Sequence, residues 1–232
     1  MTDIPQKAPR AGSKVRSISA GQQIYPQLRD RILSLELQPG QALSRLEVAD
    51  DYGVSQTPVR EAMKKLEDEG LLFVMPQHRT EVARINIAEA RQAQFLRLSI
   101  EVEIARQLAE SAPALTFAPQ HSLMLQARAA IEARDMTLFK TLDGQFHRSL
   151  YLLAGVEPLW HLVAERSGHI DRLRALSLMD AQKGIAILAD HERILTAIQA
   201  GDPDGAEAAT RQHLSGTLSQ VETLKLRFPQ YF

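Results

Sequence analysis

The sequence predicts a mainly α-helical protein in two parts. Three helices closed by a β-hairpin occupy residues 21–85, and an antiparallel all-helical bundle occupies residues 86–232, with a flexible basic arm ahead of both over residues 1–20. Three observations predict this. Apolar residues recur at helical spacing as far as Gly70, and two short apolar runs around a polar tip follow. Beyond Asn86 every segment is amphipathic at helical spacing, with no strand signal of any strength. A chain of 232 residues can also bury two separate cores, one of about 65 and one of about 140 residues.

Ile24, Leu28, Ile32 and Leu35 form the first apolar stripe, which stops at the turn signal Gln38-Pro39-Gly40. Ser44 followed by Glu47 reads as a capping box opening a short second helix, and Tyr52-Gly53 ends it. A third helix starts from a cap at Ser55 or Thr57, with Pro58 in its first turn, where the missing N–H costs nothing. It runs through Val59, Ala62, Met63 and Leu66 to Gly70. Leu71-Leu72-Phe73-Val74-Met75, the tip Pro76-Gln77-His78-Arg79-Thr80, and Val82 with Ile85 then read as two short strands joined by a turn. Three helices and a hairpin in that order make a winged helix-turn-helix. The long helices are predicted over 87–110, 119–134, 136–154, 157–180, 185–200 and 203–227, and connections as short as theirs give antiparallel neighbours.

Composition narrows the function. Hydrophobic residues at 44% and charged residues at 24% fit an ordinary globular protein. The absence of Cys excludes disulfides, thiolate metal sites and cysteine nucleophiles, and fits a reducing compartment. No apolar run approaches the roughly 20 residues that span a bilayer, and no signal-peptide core is present, so a cytoplasmic protein with no membrane partner is expected. A net charge of −1 argues against a protein that coats nucleic acid through a broad positive field, so any DNA contact is local. Lys7, Arg10, Lys14 and Arg16 near the N-terminus read either as a phosphate-contacting arm or as a solvated tail.

The run Val54-Ser55-Gln56-Thr57-Pro58-Val59-Arg60-Glu61-Ala62 puts hydroxyls, an amide and a guanidinium at the start of a helix. Hydroxyls and N-terminal amides hold phosphates, Gln pairs with adenine, and Arg takes a phosphate or a guanine edge. Together with Leu37-Gln38-Pro39-Gly40, Leu43-Ser44 and Leu66-Glu67-Asp68-Glu69-Gly70-Leu71, this run resembles the GntR family of bacterial regulators. The helical part resembles the ligand-binding (FCD-type) domain of its FadR-like subfamily. The resemblance implies a homodimer that binds a double-stranded operator of two-fold symmetry and changes its grip when a metabolite binds, as a repressor is expected to. Ser55, Thr57 and Arg60 match the family pattern directly, whereas Gln56 stands where Arg is usual, which implies a different base preference. Arg45, His78 and Arg79 are further candidates by position, with a plain exposed helix charge the alternative for Arg45.

In the bundle, Asp143 and His147 are spaced to lie on one helix face, and His191 and His213 fall on the last two predicted helices. Three imidazoles and a carboxylate suit a divalent zinc, nickel or manganese ion, although His residues on separate helices are also ordinary core residues. The FadR-like ligand domain often has these four positions in this pattern, so the resemblance implies a metal site at Asp143, His147, His191 and His213. Arg97 and Arg172 are candidates to hold a small carboxylate-containing effector, an organic or sugar acid, in two hydrogen bonds. A pair of Arg97 with Glu101, and a surface role for Arg172, are the alternatives. The competing function is a metal-dependent enzyme with the three His and one Asp at a catalytic ion. That ion would need a nearby general base, which no spacing identifies.

Overall fold

The computed structural model describes residues 20–74, 79–178 and 181–232. The basic-arm residues Lys7, Arg10, Lys14 and Arg16 and the wing-tip residue His78 lie outside the described residues. Helix α1 (Ala20–Leu33), strand β1 (Ala42–Leu43), α2 (Arg45–Asp51) and α3 (Gln56–Asp68) come first. Ile24, Leu28 and Ile32 of α1 pack with Val59, Ala62, Met63 and Leu66 of α3 into one core, leaving the polar stripe of α3 outside. Ser44 caps α2, its Oγ accepting from Glu47 N at 3.4 Å. Gly70 ends the third helix with φ 72°, a left-handed conformation that a Cβ disfavours. Strands β2 (Leu72–Val74) and β3 (Thr80–Val82) form the wing. β1, too short for any alternation to announce it, joins them in an antiparallel sheet of order β1-β3-β2, with Leu43 opposite Thr80 and Phe73 opposite Glu81.

The bundle comprises α4 (Ile87–Glu110), α5 (Ala118–Glu132), α6 (Met136–Leu153), α7 (Glu157–Arg166), α8 (Gly168–Ser177), α9 (Ala181–Gln199), α10 (Pro203–Ser215) and α11 (Val221–Arg227). Two of the expected helices are divided. The one expected over 157–180 breaks at Ser167, where a Cβ on Gly168 would lie 2.6 Å from Leu71 Cδ2, so the bare backbone lets the junction of α7 and α8 press against the winged unit. The one expected over 203–227 breaks near Gly216, which turns Val221 and Leu224 of α11 into a core shared with Ile85, Ile170 and Leu173.

Polar contacts fasten the two units. His169 on α8 is buried, and its Nδ1 accepts from Asn86 N at 3.0 Å and from Arg172 Nη2 at 2.8 Å. A guanidinium only donates, so the His169 proton sits on Nε2, 3.0 Å from Glu89 Oε2. Burial, and then the Arg172 charge, push His169 from 6.5 down to about 4. The folded state therefore keeps this ring neutral while the unfolded chain protonates it. Stability from this site is complete above pH 6.5 and is lost as the pH falls toward 4, by about 2–3 kcal/mol. Thermal unfolding followed across that window should fall less steeply in His169→Gln than in wild type, and parallel curves would exclude this ring as a source of acid sensitivity.

Candidate functional site

The N-terminal end of α3 presents an exposed polar face. Ser55 is its N-cap, yet the Ser55 hydroxyl makes no capping hydrogen bond, so it and the first helical amides remain available to an anion. Ser55, Gln56, Thr57 and Arg60 are all exposed, on the face opposite the buried Val59, Ala62, Met63 and Leu66. Lys64 is neutralised by Glu67 and Asp68, whereas Arg60 makes no ion pair among the described residues. Arg45, Gln56 and Arg79 line one open cleft with Leu43 and Ser44, so the start of α2 and the base of the wing stand beside the start of α3. Arg79 pairs with Glu81 at 2.8 Å, which orients its guanidinium while tempering its charge.

Within the bundle, Asp143 and His147 on α6, His191 on α9 and His213 on α10 each offer a ligand atom, and these atoms all lie within 4.8 Å of one another. His147 and His191 are buried. His147 Nε2 faces His213 Nε2 at 3.1 Å, and His191 Nε2 lies 3.3 Å from Asp143 Oδ1 without the alignment of a hydrogen bond. Behind them, Glu101 Oε2 is 2.8 Å from His147 Nδ1 and Asp190 Oδ2 is 3.4 Å from His213 Nδ1. These carboxylates favour the proton on Nδ1 of His147 and of His213 and so leave their two Nε2 lone pairs converging, an arrangement that a cation between them relieves.

The charges agree. Burial, followed by the Arg97 charge, pushes His147 down to about 4, and burial, followed by His213 and His147, holds His191 well below its usual value. Burial alone would raise Glu101, but Arg97 and then His147 outweigh it and keep Glu101 ionised. Neutral rings with free lone pairs beside a carboxylate fit a borderline divalent cation. Glu101 and Asp190 are participants that sequence reasoning missed as carboxylates behind the rings. The i,i+4 spacing of Arg97 and Glu101 was a signal for the first, and for the second only its adjacency to His191.

A cavity of about 170 Å³ opens against this cluster, its wall including Asp143, Asp190, His213, Arg174, Lys183 and Thr217. The two arginines expected at an effector are placed elsewhere. Arg97 is buried with Nε donating to Glu101, so it supports the His147 side of the cluster and is not part of the cavity wall. Arg172 is completely buried at the domain junction, where it donates to Ala83 O and contacts His169. Arg174, two residues on and facing the other way round α8, takes the position at the cavity.

Residues 20–82 match the model of the bacterial regulatory proteins of the gntR family, and residues 92–216 match the FCD domain. An HTH-type transcriptional regulator in an unstable DNA locus of Streptomyces ambofaciens is 38% identical over 210 residues, covering 90% of this chain and 88% of the relative. The HTH-type transcriptional repressor RspR of Escherichia coli K12 is 32% identical over 211 residues, covering 91% of this chain and 92% of its own. Among solved structures, E. coli McbR/YncC superposes with a TM-score of 0.74 at 19% identity, over 91% of this chain and 100% of that one, a likeness of fold. No described helix is long and apolar enough to cross a membrane. With a winged helix-turn-helix, an FCD domain and full-length relatives of this kind, the chain belongs to the GntR family and is a DNA-binding transcriptional regulator rather than an enzyme.

Proposed function

We propose that the protein is a cytoplasmic, homodimeric repressor that grips a two-fold symmetric operator through α3 and the wing, and that a small organic or sugar acid bound in the helical domain changes that grip. The division between its two working domains falls near residue 86. Regulators of this family bind DNA and act as dimers. The observation that carries the sensory part is the cavity of about 170 Å³ walled by two of the four clustered ligand residues, Asp143 and His213, together with the cationic Arg174. Asp143, His147, His191 and His213 would hold a zinc, nickel or manganese ion, which supplies positive charge and open positions for a carboxylate oxygen. Arg174 then fixes a second acidic group of the same ligand through paired N–H donors.

The test uses zinc-loaded protein and a duplex selected by the protein from a random-sequence pool, titrated with acetate, malonate, citrate and gluconate. At least one acid should shift operator affinity. In Arg174→Gln, the acid concentration needed should rise about 10- to 100-fold, as expected for a charge-assisted contact, with metal content unchanged. An unchanged acid requirement in Arg174→Gln, or no response of wild type to any acid, would overturn this reading.

A further inference from the structure

Helix α8 gives Arg174 to the cavity wall and packs against α1 of the winged unit, and it also carries Asp171. Arg174 Nη1 is 3.3 Å from Asp171 Oδ1, one turn earlier on the same helix, and both side chains are largely withdrawn from solvent. Lys140 of α6, one turn ahead of Asp143, reaches the winged unit, its Nζ donating to Leu33 O at 3.0 Å. Leu33 closes α1, the helix that packs along α3. Burial lowers the Lys140 ammonium, and Asp171 is the largest influence opposing that. Arg29, also on α1, feels Asp171 as well, and it binds Glu69 at the end of α3 and Ala164 O at the end of α7. A single carboxylate thus pairs with the arginine of the cavity and also acts electrostatically on the cations that fasten α1 to the bundle.

We infer that Asp171 is the positioning residue that sets acid affinity and transmits acid binding: without the acid it occupies Arg174, and with Arg174 taken by the acid's carboxylate it turns to Lys140 and alters the hold on α1. This rests on the proposed acid-sensing function. The physical reason is charge balance in a poorly solvated space. A second anion at Arg174 both satisfies the guanidinium and repels Asp171, and Lys140, a partly buried ammonium with no ion pair among the described residues, is a cation on which Asp171 already acts. α1 is the natural receiver, because its buried stripe and that of α3 share one core.

Calorimetry of the same four acids into zinc-loaded full-length protein, with operator affinity measured on the selected duplex, separates the alternatives. Asp171→Asn removes the internal competitor, so acid affinity should tighten about two- to fivefold, the worth of a partly exposed ion pair. At the same time the factor by which acid changes operator affinity should fall toward one. Lys140→Met should leave acid affinity within about twofold of wild type and also bring that factor toward one. Lys140→Arg, which keeps the charge and a donor, should restore it. Weaker acid binding in Asp171→Asn would make Asp171 a prop for Arg174 and overturn the inference, and so would a wild-type factor in Asp171→Asn. Asp171→Asn alone suffices if Lys140→Met does not fold. If wild type binds no acid, the proposed function falls as well. If wild type binds and responds while the variants respond equally, only the role of Asp171 falls.

Discussion

Arg60→Ala is expected to abolish specific operator binding while leaving the folded protein and its dimer intact. Arg60 is exposed on α3 and packs against nothing in the core, so its removal carries little cost in stability. It lies one turn into a helix whose cap hydroxyl and first amides are open to a phosphate, the position from which a guanidinium reaches a base edge or the backbone. Loss of such a contact costs about 1–3 kcal/mol per half-site, and a two-fold dimer loses it twice, so affinity should drop by roughly 30-fold to 10⁴-fold. Fluorescence anisotropy on the selected duplex at fixed salt measures this directly. Wild-type affinity in the variant would mean that α3 is not the reading element.

The second large effect concerns the cluster in the bundle. Wild-type protein purified without chelator should carry about one divalent ion per chain by elemental analysis, and His191→Ala should carry almost none. His191 is buried, its ring stacked on Phe146 with centroids 4.1 Å apart and its Nε2 without an aligned partner. An ion held there would link α6, α9 and α10, so at a thousand times its dissociation constant it should add about 4 kcal/mol to stability. That gain should vanish in His191→Ala. Asp143→Asn, which preserves volume and fold, should lose metal too, separating ligation from packing. Wild-type protein free of metal and unable to rebind zinc, nickel or manganese would eliminate the site.

The sequence by itself determined the elements and the chemistry available to them. Helical spacing, the Ser44 and Ser55 caps and the Gly53 and Gly70 stops are local properties, and each appears in the fold near where the pattern puts it. The same holds for Asp143 and His147, because four residues is one helical turn whatever the helix packs against. Tertiary structure decided the rest. Ser167-Gly168 is only a weak turn signal inside a helical pattern, and the fold adds the close approach of Leu71, from a segment distant in sequence, which leaves no room for a Cβ on residue 168. β1 is two residues long and exists only because β3 pairs with it. Arg172 and Arg174 are equivalent in a polar helical run, yet two residues on a helix are about 200° apart, so only one can face the cavity while the other faces the wing. Which one does so depends on the rotation of α8 about its axis, fixed by Ile170, Leu173 and Leu176 entering the core with Val221 and Leu224. His191 and His213 likewise reach Asp143 and His147 because apolar residues beside them, such as Ile194 on α9 and Leu214 on α10, are buried and set the rotation of those helices. Spacing fixes which residues share a face of one helix; the burial of each apolar stripe fixes which faces of different helices meet.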